Sequence, residues 1–375
     1  MPDSSSINNT SLEDLPRQKA NLEERQAQRA GAGLQFRLKD GHSEIAPFRG
    51  RFKAALLLGA LCTLLVGCAG TEASMFRGNL ARTGVYDGPG PEAPVRTAWR
   101  FQAERAVVSS PAVAGGAVYV GSNDGHLYAI DAETGQEQWR FRAKEGVGSS
   151  PAVAGGTVYV GSWDRRLYAI DAETGQEQWR FRAESYVSSS PAVAGGTVYA
   201  GSDDGHLYAI DAGTGQEQWQ FETGDRVHSS PAVAGSTVFV GSRDRHLYAI
   251  DAETGQEQWR FETENNVESS PAVAGGTVYV GSNDGHLYAI DAETGQEQWQ
   301  FKTENNVDSS PAVAEGTVYV GSYDDHLYAI DAETGQEQWR FQAKDNVRSS
   351  PTVLGGTIYV GSSDNHLYAL RSTAQ

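Results

Sequence analysis

The sequence predicts an all-β protein, a seven-bladed β-propeller of four-stranded antiparallel blades. Three observations predict it. Tryptophans recur at 40-residue intervals, at Trp99, Trp139, Trp179, Trp219, Trp259, Trp299 and Trp339. Prolines keep the same interval, at Pro111, Pro151, Pro191, Pro231, Pro271, Pro311 and Pro351. Within each interval lie four short runs rich in Val, Tyr, Ile or Trp, separated by glycine turns, and no window has helical periodicity. A period near 40 residues belongs to architectures whose units bury their apolar faces only against their neighbours. Four strands per period make each unit a propeller blade.

Residues 109–142 show one unit. "SSPAVA" is the first strand, followed by the turn at Gly115-Gly116 and by "AVYVGS". The turn Asn123-Asp124-Gly125 leads into "HLYAID", and Glu133-Thr134-Gly135 leads into "EQWRFR". Asp-Gly between apolar runs is a strong hairpin signal, because glycine takes positive φ without strain. Proline has no N–H and survives only at a sheet edge, so the "SSP" strand is the inner edge of its blade. The fourth strand is the outer edge, where Gln138, Arg140 and Arg142 alternate with Trp139 and Phe141 and discourage edge pairing.

Strand counting predicts how the ring closes. Trp99-Arg100-Phe101 has no three strands before it, and the last unit, Pro351 to Leu370, has three strands with no Trp after them. The orphan strand therefore completes the last blade beside "HLYAL", and the closed ring is expected to be a monomer. The domain boundaries follow: a propeller over residues 96–370 and a short tail over 371–375.

The first third of the chain has a different composition. Residues 1–53 carry nine Lys/Arg and seven Asp/Glu, few aromatics and no periodicity, the composition of a disordered leader. Residues 54–67, "AALLLGALCTLLVG", are uncharged and follow the basic "FRGRFK". A run of 14 is too short for a helix of about 20 residues to span a bilayer, and its flanks follow signal-peptide grammar. Residues 68–95 are then a linker and entry segment.

The run ends in Leu65, Val66, Gly67 and Cys68, which resembles the lipobox of bacterial lipoproteins. That resemblance implies cleavage before Cys68, acylation of its sulfur, and an anchor in a membrane. Ala69 after the Cys is similar to the address of outer-membrane members in two-membrane envelopes, where the periplasmic face is implied. The other cysteine, Cys62, leaves with the signal, so the mature chain has no disulfide partner for Cys68. A repeat domain of this length has enough core without one. The chain has 30 Lys/Arg and 48 Asp/Glu; without residues 1–67 these become 21 and 41, a net charge of −20. Such a surface repels phosphate backbones, so nucleic acid is excluded as a partner.

Each complete blade linker reads Ala-x-Asp-x-x-Thr-Gly-x-x-x-Trp, as in Ala129, Asp131, Thr134, Gly135 and Trp139. This resembles the tryptophan-docking motif of propellers in the pyrroloquinoline-quinone (PQQ) enzymes and their non-enzymatic relatives. It recurs through residues 99–370 and implies that the seven periodic Trp residues pack between blades. The segment "MFRGNLARTG", residues 75–84, looks like the entry segment of PQQ-like lipoproteins. Quinoprotein dehydrogenases of this family carry an adjacent Cys pair, Ca²⁺-binding carboxylates and a catalytic Asp in long insertions. None of these is present, so the expectation is no catalytic residue, no metal and no PQQ. Motif and lipobox together are similar to the lipoprotein subunit of the outer-membrane barrel-assembly machinery (BamB-type), an acylated scaffold, although that subunit has eight blades. A protein-binding scaffold in the cell envelope is the reading this implies. A quinoprotein-like enzyme and an extracytoplasmic glycan-binding or sensing module stand as alternatives.

Within the repeats, two periodic sets are expected to be structural. His126, His206, His246, His286, His326 and His366 begin third strands, with Arg166 in the remaining place. Lying two strands from the channel, about 10 Å at ~4.8 Å per strand, they are too far apart to share a metal, and they are expected to bond the Asp-Gly turn. Asp131 and its equivalents are expected to bond their own turns.

Differences between repeats carry more information. They concentrate in the turn after the second strand and in the connection between blades, which share one face of a meander. Blades two to four place Trp163, Arg165, Arg166, Tyr186, Arg226, His228, Arg243 and Arg245 there. Trp, Tyr and Arg are enriched at interface hot spots, so this arc is the candidate face for an envelope protein partner.

Overall fold

A computed structural model describes residues 78–79, 98–354 and 356–372. The leader, the apolar run, Leu65 to Cys68 and most of the entry segment lie outside the described residues. No helix among those described is long and apolar enough to cross a membrane.

The first blade is built from Ala112–Ala114, Ala117–Gly121, His126–Asp131 and Glu137–Arg142, hydrogen-bonded in that order. Its register pairs Ala112 with Tyr119, Gly121 with Leu127, and Leu127 with Phe141. The ladder shifts between Ala129 and Ile130, where Trp139 and Glu137 are the partners, so Gln138 is the extra residue of a bulge that adds twist to the outer strand. Five further four-stranded sheets repeat this plan, and the last sheet has three strands, Thr352–Leu354, Thr357–Gly361 and Leu367–Arg371. All-β architecture and seven blades are thus observed.

Alternation along the strands gives every blade a forward and a rear apolar face. Ala192, Tyr199, Leu207 and Ala209 on the forward face of the third blade pack against Val233, Val238, Val240, Tyr248 and Ile250 on the rear face of the fourth. The same pairing builds the fourth-to-fifth and fifth-to-sixth junctions. The core is therefore a series of inter-blade layers. Near the inner strands a backbone N–H donates to the serine hydroxyl one repeat on, as from Ser150 to Ser190 at 2.9 Å and from Ser310 to Ser350 at 3.2 Å.

The closure expected from strand counting is not shown among the described residues. Trp99-Arg100-Phe101 forms no ladder with Leu367–Arg371, and the last sheet keeps three strands. Trp99 and Phe101 instead pack on the first blade, against Val120, Tyr128 and Ile130. Leu367 is 75% exposed, whereas its equivalents in the other six blades are fully buried. The physical reason is that strand counting establishes matching parts, while their meeting depends on the angle each junction contributes, summed around the row. That sum is not written in any one repeat.

Candidate functional site

The variable face is assembled at the blade junctions. The connection 143–148 runs from the outer strand of one blade to the inner strand of the next. Val147 N–H donates to the Ser122 carbonyl of the blade it leaves, at 3.0 Å, and Trp163 N–H donates to the Gly146 carbonyl from the blade it enters, also at 3.0 Å. Gly121 is required here, since a Cβ would sit 2.6 Å from the Val147 carbonyl oxygen.

The turn Asp holds this junction. Asp164 Oδ2 accepts the Lys144 N–H at 2.9 Å and the Tyr168 hydroxyl at 2.6 Å. In the first blade Asp124 Oδ2 accepts from Glu104 N–H and from Tyr128, each at 3.0 Å. Burial disfavours the charged form of Asp124, but hydrogen bonds from Ser122, the His126 backbone, Tyr128 and the His126 ring outweigh it and hold its carboxyl down at about 2. Burial, with the hydrogen bond to Asp124, pushes the Tyr128 hydroxyl up to about 12.

The histidines turn to the same carboxylates. His126 Nδ1 lies 3.1 Å from Asp124 Oδ1, and the His206, His246, His286, His326 and His366 rings repeat the contact. Arg166 substitutes for a histidine in kind as well as in place, with Nη1 3.5 Å from Asp164 Oδ2. On the opposite face Asp131 Oδ1 accepts from Thr134 N–H at 2.8 Å and from its hydroxyl at 2.7 Å. Among the described residues no group of three His, Cys, Asp or Glu is placed to hold a metal ion.

The eight residues of the candidate arc fall into separate surroundings. Trp163 is half-buried across Gly146 and Gly148; a Cβ on Gly146 would lie 2.6 Å from its Cε3 and one on Gly148 3.0 Å from its Nε1. Its blade is the one whose incoming connection has glycine at both places, so the indole fills the room those glycines leave. Beside it a cavity of about 460 Å³ is lined by Glu104, Arg105, Asn123, Lys144, Glu145 and Trp163, among others. Tyr186 is 43% exposed, and its carbonyl accepts the Asp203 N–H at 2.8 Å. Arg226 is exposed, and its carbonyl accepts the Arg243 N–H at 3.0 Å.

Charge pairing links the rest. His228 Nε2 lies 3.2 Å from Asp203 Oδ1 and its Nδ1 3.7 Å from Glu268 Oε1, while Arg243 Nε lies 2.8 Å from Glu268 Oε1. Arg245 reaches Glu262 at 3.5 Å, and Arg165 donates to the Glu184 carbonyl at 3.4 Å. Arg166 therefore faces inward, and Arg243 and His228 belong to a network around the inner rim.

That network extends past the arc inferred from sequence. Tyr323 donates to Asp308 at 2.5 Å, and the Arg348 guanidinium lies 5.1 Å from the Tyr323 ring centre. Burial, with the hydrogen bond to Asp308, pushes Tyr323 up to about 12. Glu268, Asp308 and Arg348 share the place of His228 in the repeat, and Asp203 and Tyr323 share the place of Arg243. Reading those columns around all seven repeats finds them.

Backbone strain also collects here. Arg165, Arg245, Asp325 and Asn365 hold φ of 71, 75, 71 and 69° where the first, third and fifth blades have glycine. Such conformations cost free energy in non-glycine residues and gather at functional sites.

Comparison with known proteins agrees with this architecture. The family model described as "Outer membrane protein assembly factor BamB" matches residues 96–227, 203–309 and 293–374. Among solved structures, BamB from Moraxella catarrhalis superposes with a TM-score of 0.65 at 21% identity, over 73% of this chain and 88% of that one. A computationally designed protein, Ika8, superposes with a TM-score of 0.64 at 21% identity, over 69% of this chain and 82% of that one. No curated protein sequence matches the chain. At such identity the two structures speak to the fold.

Proposed function

The chain belongs to the family described as outer membrane protein assembly factor BamB, and on that premise we propose that it is a non-catalytic scaffold of the cell envelope. Acylated Cys68 anchors it, at the periplasmic face of the outer membrane where the envelope has two membranes. A protein partner docks on the variable face, in outer-membrane protein assembly. The single observation that carries this reading is the concentration of strained, non-glycine turn residues on that face, Arg165 and Arg245 among them. The opposite face has one such residue, Glu315, and keeps the same Asp-x-x-Thr-Gly turn in six linkers. Exposed Tyr186 and exposed, cationic Arg226, in successive blade connections of that face, suit an acidic partner, drawn electrostatically and released by salt.

The test is a pull-down from envelope extracts. Trp163→Ala/Arg243→Glu is compared with a control changed at Glu173 and Glu253, on the other face. The expected result is loss of partner with the first protein only; equal recovery from both rules the face out. For the anchor, Cys68→Ala is expected to move the protein to the soluble fraction, since stable attachment requires more than one acyl chain and Cys68 carries them. Unchanged membrane association contradicts the anchor.

The cavity beside Trp163 supports a second reading, a glycan site in which an aromatic plane is flanked by the carboxylates of Glu104 and Glu145. Saturable binding of a soluble oligosaccharide, abolished by Trp163→Ala, is its signature.

A further inference from the structure

We propose that the junction of the fourth and fifth blades, on the face opposite the variable one, is a binding site for a small neutral polyol such as a single sugar unit. Neighbouring junctions share one bond that this junction lacks. A tyrosine hydroxyl of one blade donates to an alanine carbonyl of the next, at 3.1 Å from Tyr119 to Ala172, Tyr159 to Ala212, Tyr199 to Ala252 and Tyr279 to Ala332. The fourth blade has Phe239 in that place. The Ala292 carbonyl therefore keeps the Trp259 indole N–H, at 3.2 Å, and lacks the phenol.

A second departure from the repeat lies in the same blade. Ser236 stands where the other hairpins have glycine, as at Gly116, Gly156, Gly196 and Gly276. Both departures border one cavity of about 560 Å³, lined by Ser236, Phe239, Gln258, Val273, Ala292 and Glu293 among others. The missing phenol hydroxyl accounts for roughly 30 Å³ of it, the volume of one water. The rest is the groove between the hairpin turns 235–236 and 275–276. Glycines keep that groove open, and a Cβ on Gly235, Gly275 or Gly276 would meet nothing within 4 Å. Small-molecule sites span about 300–1,000 Å³, and this cavity falls within that range.

The lining decides what fits. Phe239 is 1% exposed and closes the bottom of the groove, while half-buried Ala234, Ala274 and Ala292 give it apolar walls. The Ala292 carbonyl and the Glu293 carboxylate are acceptors, and the Ser236 hydroxyl both donates and accepts. No Lys, Arg or His lines the cavity, so an anion would meet the Glu293 charge uncompensated. A neutral polyol matches this set. One hydroxyl donates to Ala292 in place of the phenol, a second donates to Glu293, a third exchanges with Ser236, and the C–H groups lie on the alanines. The site stands on the face opposite Trp163 and depends on neither reading of the variable face.

The experiment titrates the full chain with D-glucose and with mannitol, and follows binding by saturation-transfer NMR on the polyol protons. The unsubstituted chain and Trp163→Ala are expected to show the same saturable binding, which separates this site from the cavity beside Trp163. Phe239→Tyr restores the residue of the repeat, so its hydroxyl takes both the Ala292 carbonyl and the space. Binding is then expected to weaken by about tenfold or more, while the thermal unfolding midpoint stays the same or rises. Binding that Phe239→Tyr leaves unchanged, binding lost with Trp163→Ala, or no saturable binding of either polyol overturns the proposal. A Phe239→Tyr variant that unfolds at a lower temperature overturns it as well, since the hydroxyl then has no place beside Ala292.

Discussion

The indole N–H of Trp179 in the second blade donates to the carbonyl oxygen of Ala212 in the third at 2.9 Å. The same oxygen accepts the Tyr159 hydroxyl at 3.1 Å, and the two rings lie 5.7 Å apart. One carbonyl thus fastens two aromatic side chains of the preceding blade. Trp179→Ala removes a buried indole and its hydrogen bond, with an expected loss of about 3 kcal/mol. Tyr159→Phe should cost only about 1 kcal/mol, because Phe239 already stands at that place in the fourth blade with Trp259 still bonded to Ala292 at 3.2 Å. Chemical unfolding of the two variants checks the order; equal losses contradict the shared-acceptor account.

Glycine at 215 is demanded twice, by φ of +71° and by the indole, since a Cβ would lie 2.6 Å from Trp179 Cδ2. Gly235 has φ of +59° with nothing within 4 Å, and Glu315 occupies its place in the sixth blade at φ +47°. Gly235→Ala is expected to cost about 1 kcal/mol from backbone conformation alone, and Gly215→Ala clearly more. Thermal unfolding of both decides, and a Gly235→Ala variant as damaged as Gly215→Ala refutes the steric argument.

Relief of strain on the variable face should separate stability from binding. Arg165→Gly and Arg245→Gly release positive φ held without glycine, so each variant is expected to be more stable by roughly 0.5–1 kcal/mol. Each should also recover less partner in the pull-down, since the cations are lost. Variants that are less stable than the parent show that these turns are not strained.

The Asp124–Tyr128 pair sets a pH window. Asp124 is held at about 2, below the ordinary carboxylate value near 4, so its contribution is complete above roughly pH 4 and lost as pH falls through 2. Tyr128 is raised to about 12, so its contribution is present below pH ~10 and lost as pH rises through 12. Unfolding midpoints measured across pH should therefore form a plateau that falls on both sides. Tyr128→Phe should shallow the alkaline fall; an unchanged alkaline limb contradicts the assignment.

Most of the blade was legible in the sequence because its determinants are local. Pro111 marked the inner edge, Asp124-Gly125 the hairpin, and Trp139 the junction, each through backbone geometry that acts within a few residues or one repeat. The variable face was legible for the same reason, as two columns in a 40-residue register. Side-chain partners on that face were not. Arg243 and Glu268 lie 25 positions apart and meet only because two blades abut, and Arg166 turns inward because Asp164 lies beneath it.

Strand order, blade number and the docking motif follow from spacing, since a strand and its turn choose their neighbours by period and φ. Whether the last blade meets the first does not follow from spacing. Each junction turns one blade relative to the next about the propeller axis, and the relation of Leu367 to Phe101 depends on the sum of those turns. A small change repeated six times opens or closes the ring without altering any one repeat. Among the described residues Leu367 is exposed and Phe101 is seated on the first blade, a relation decided by the assembled ring and not by any one repeat.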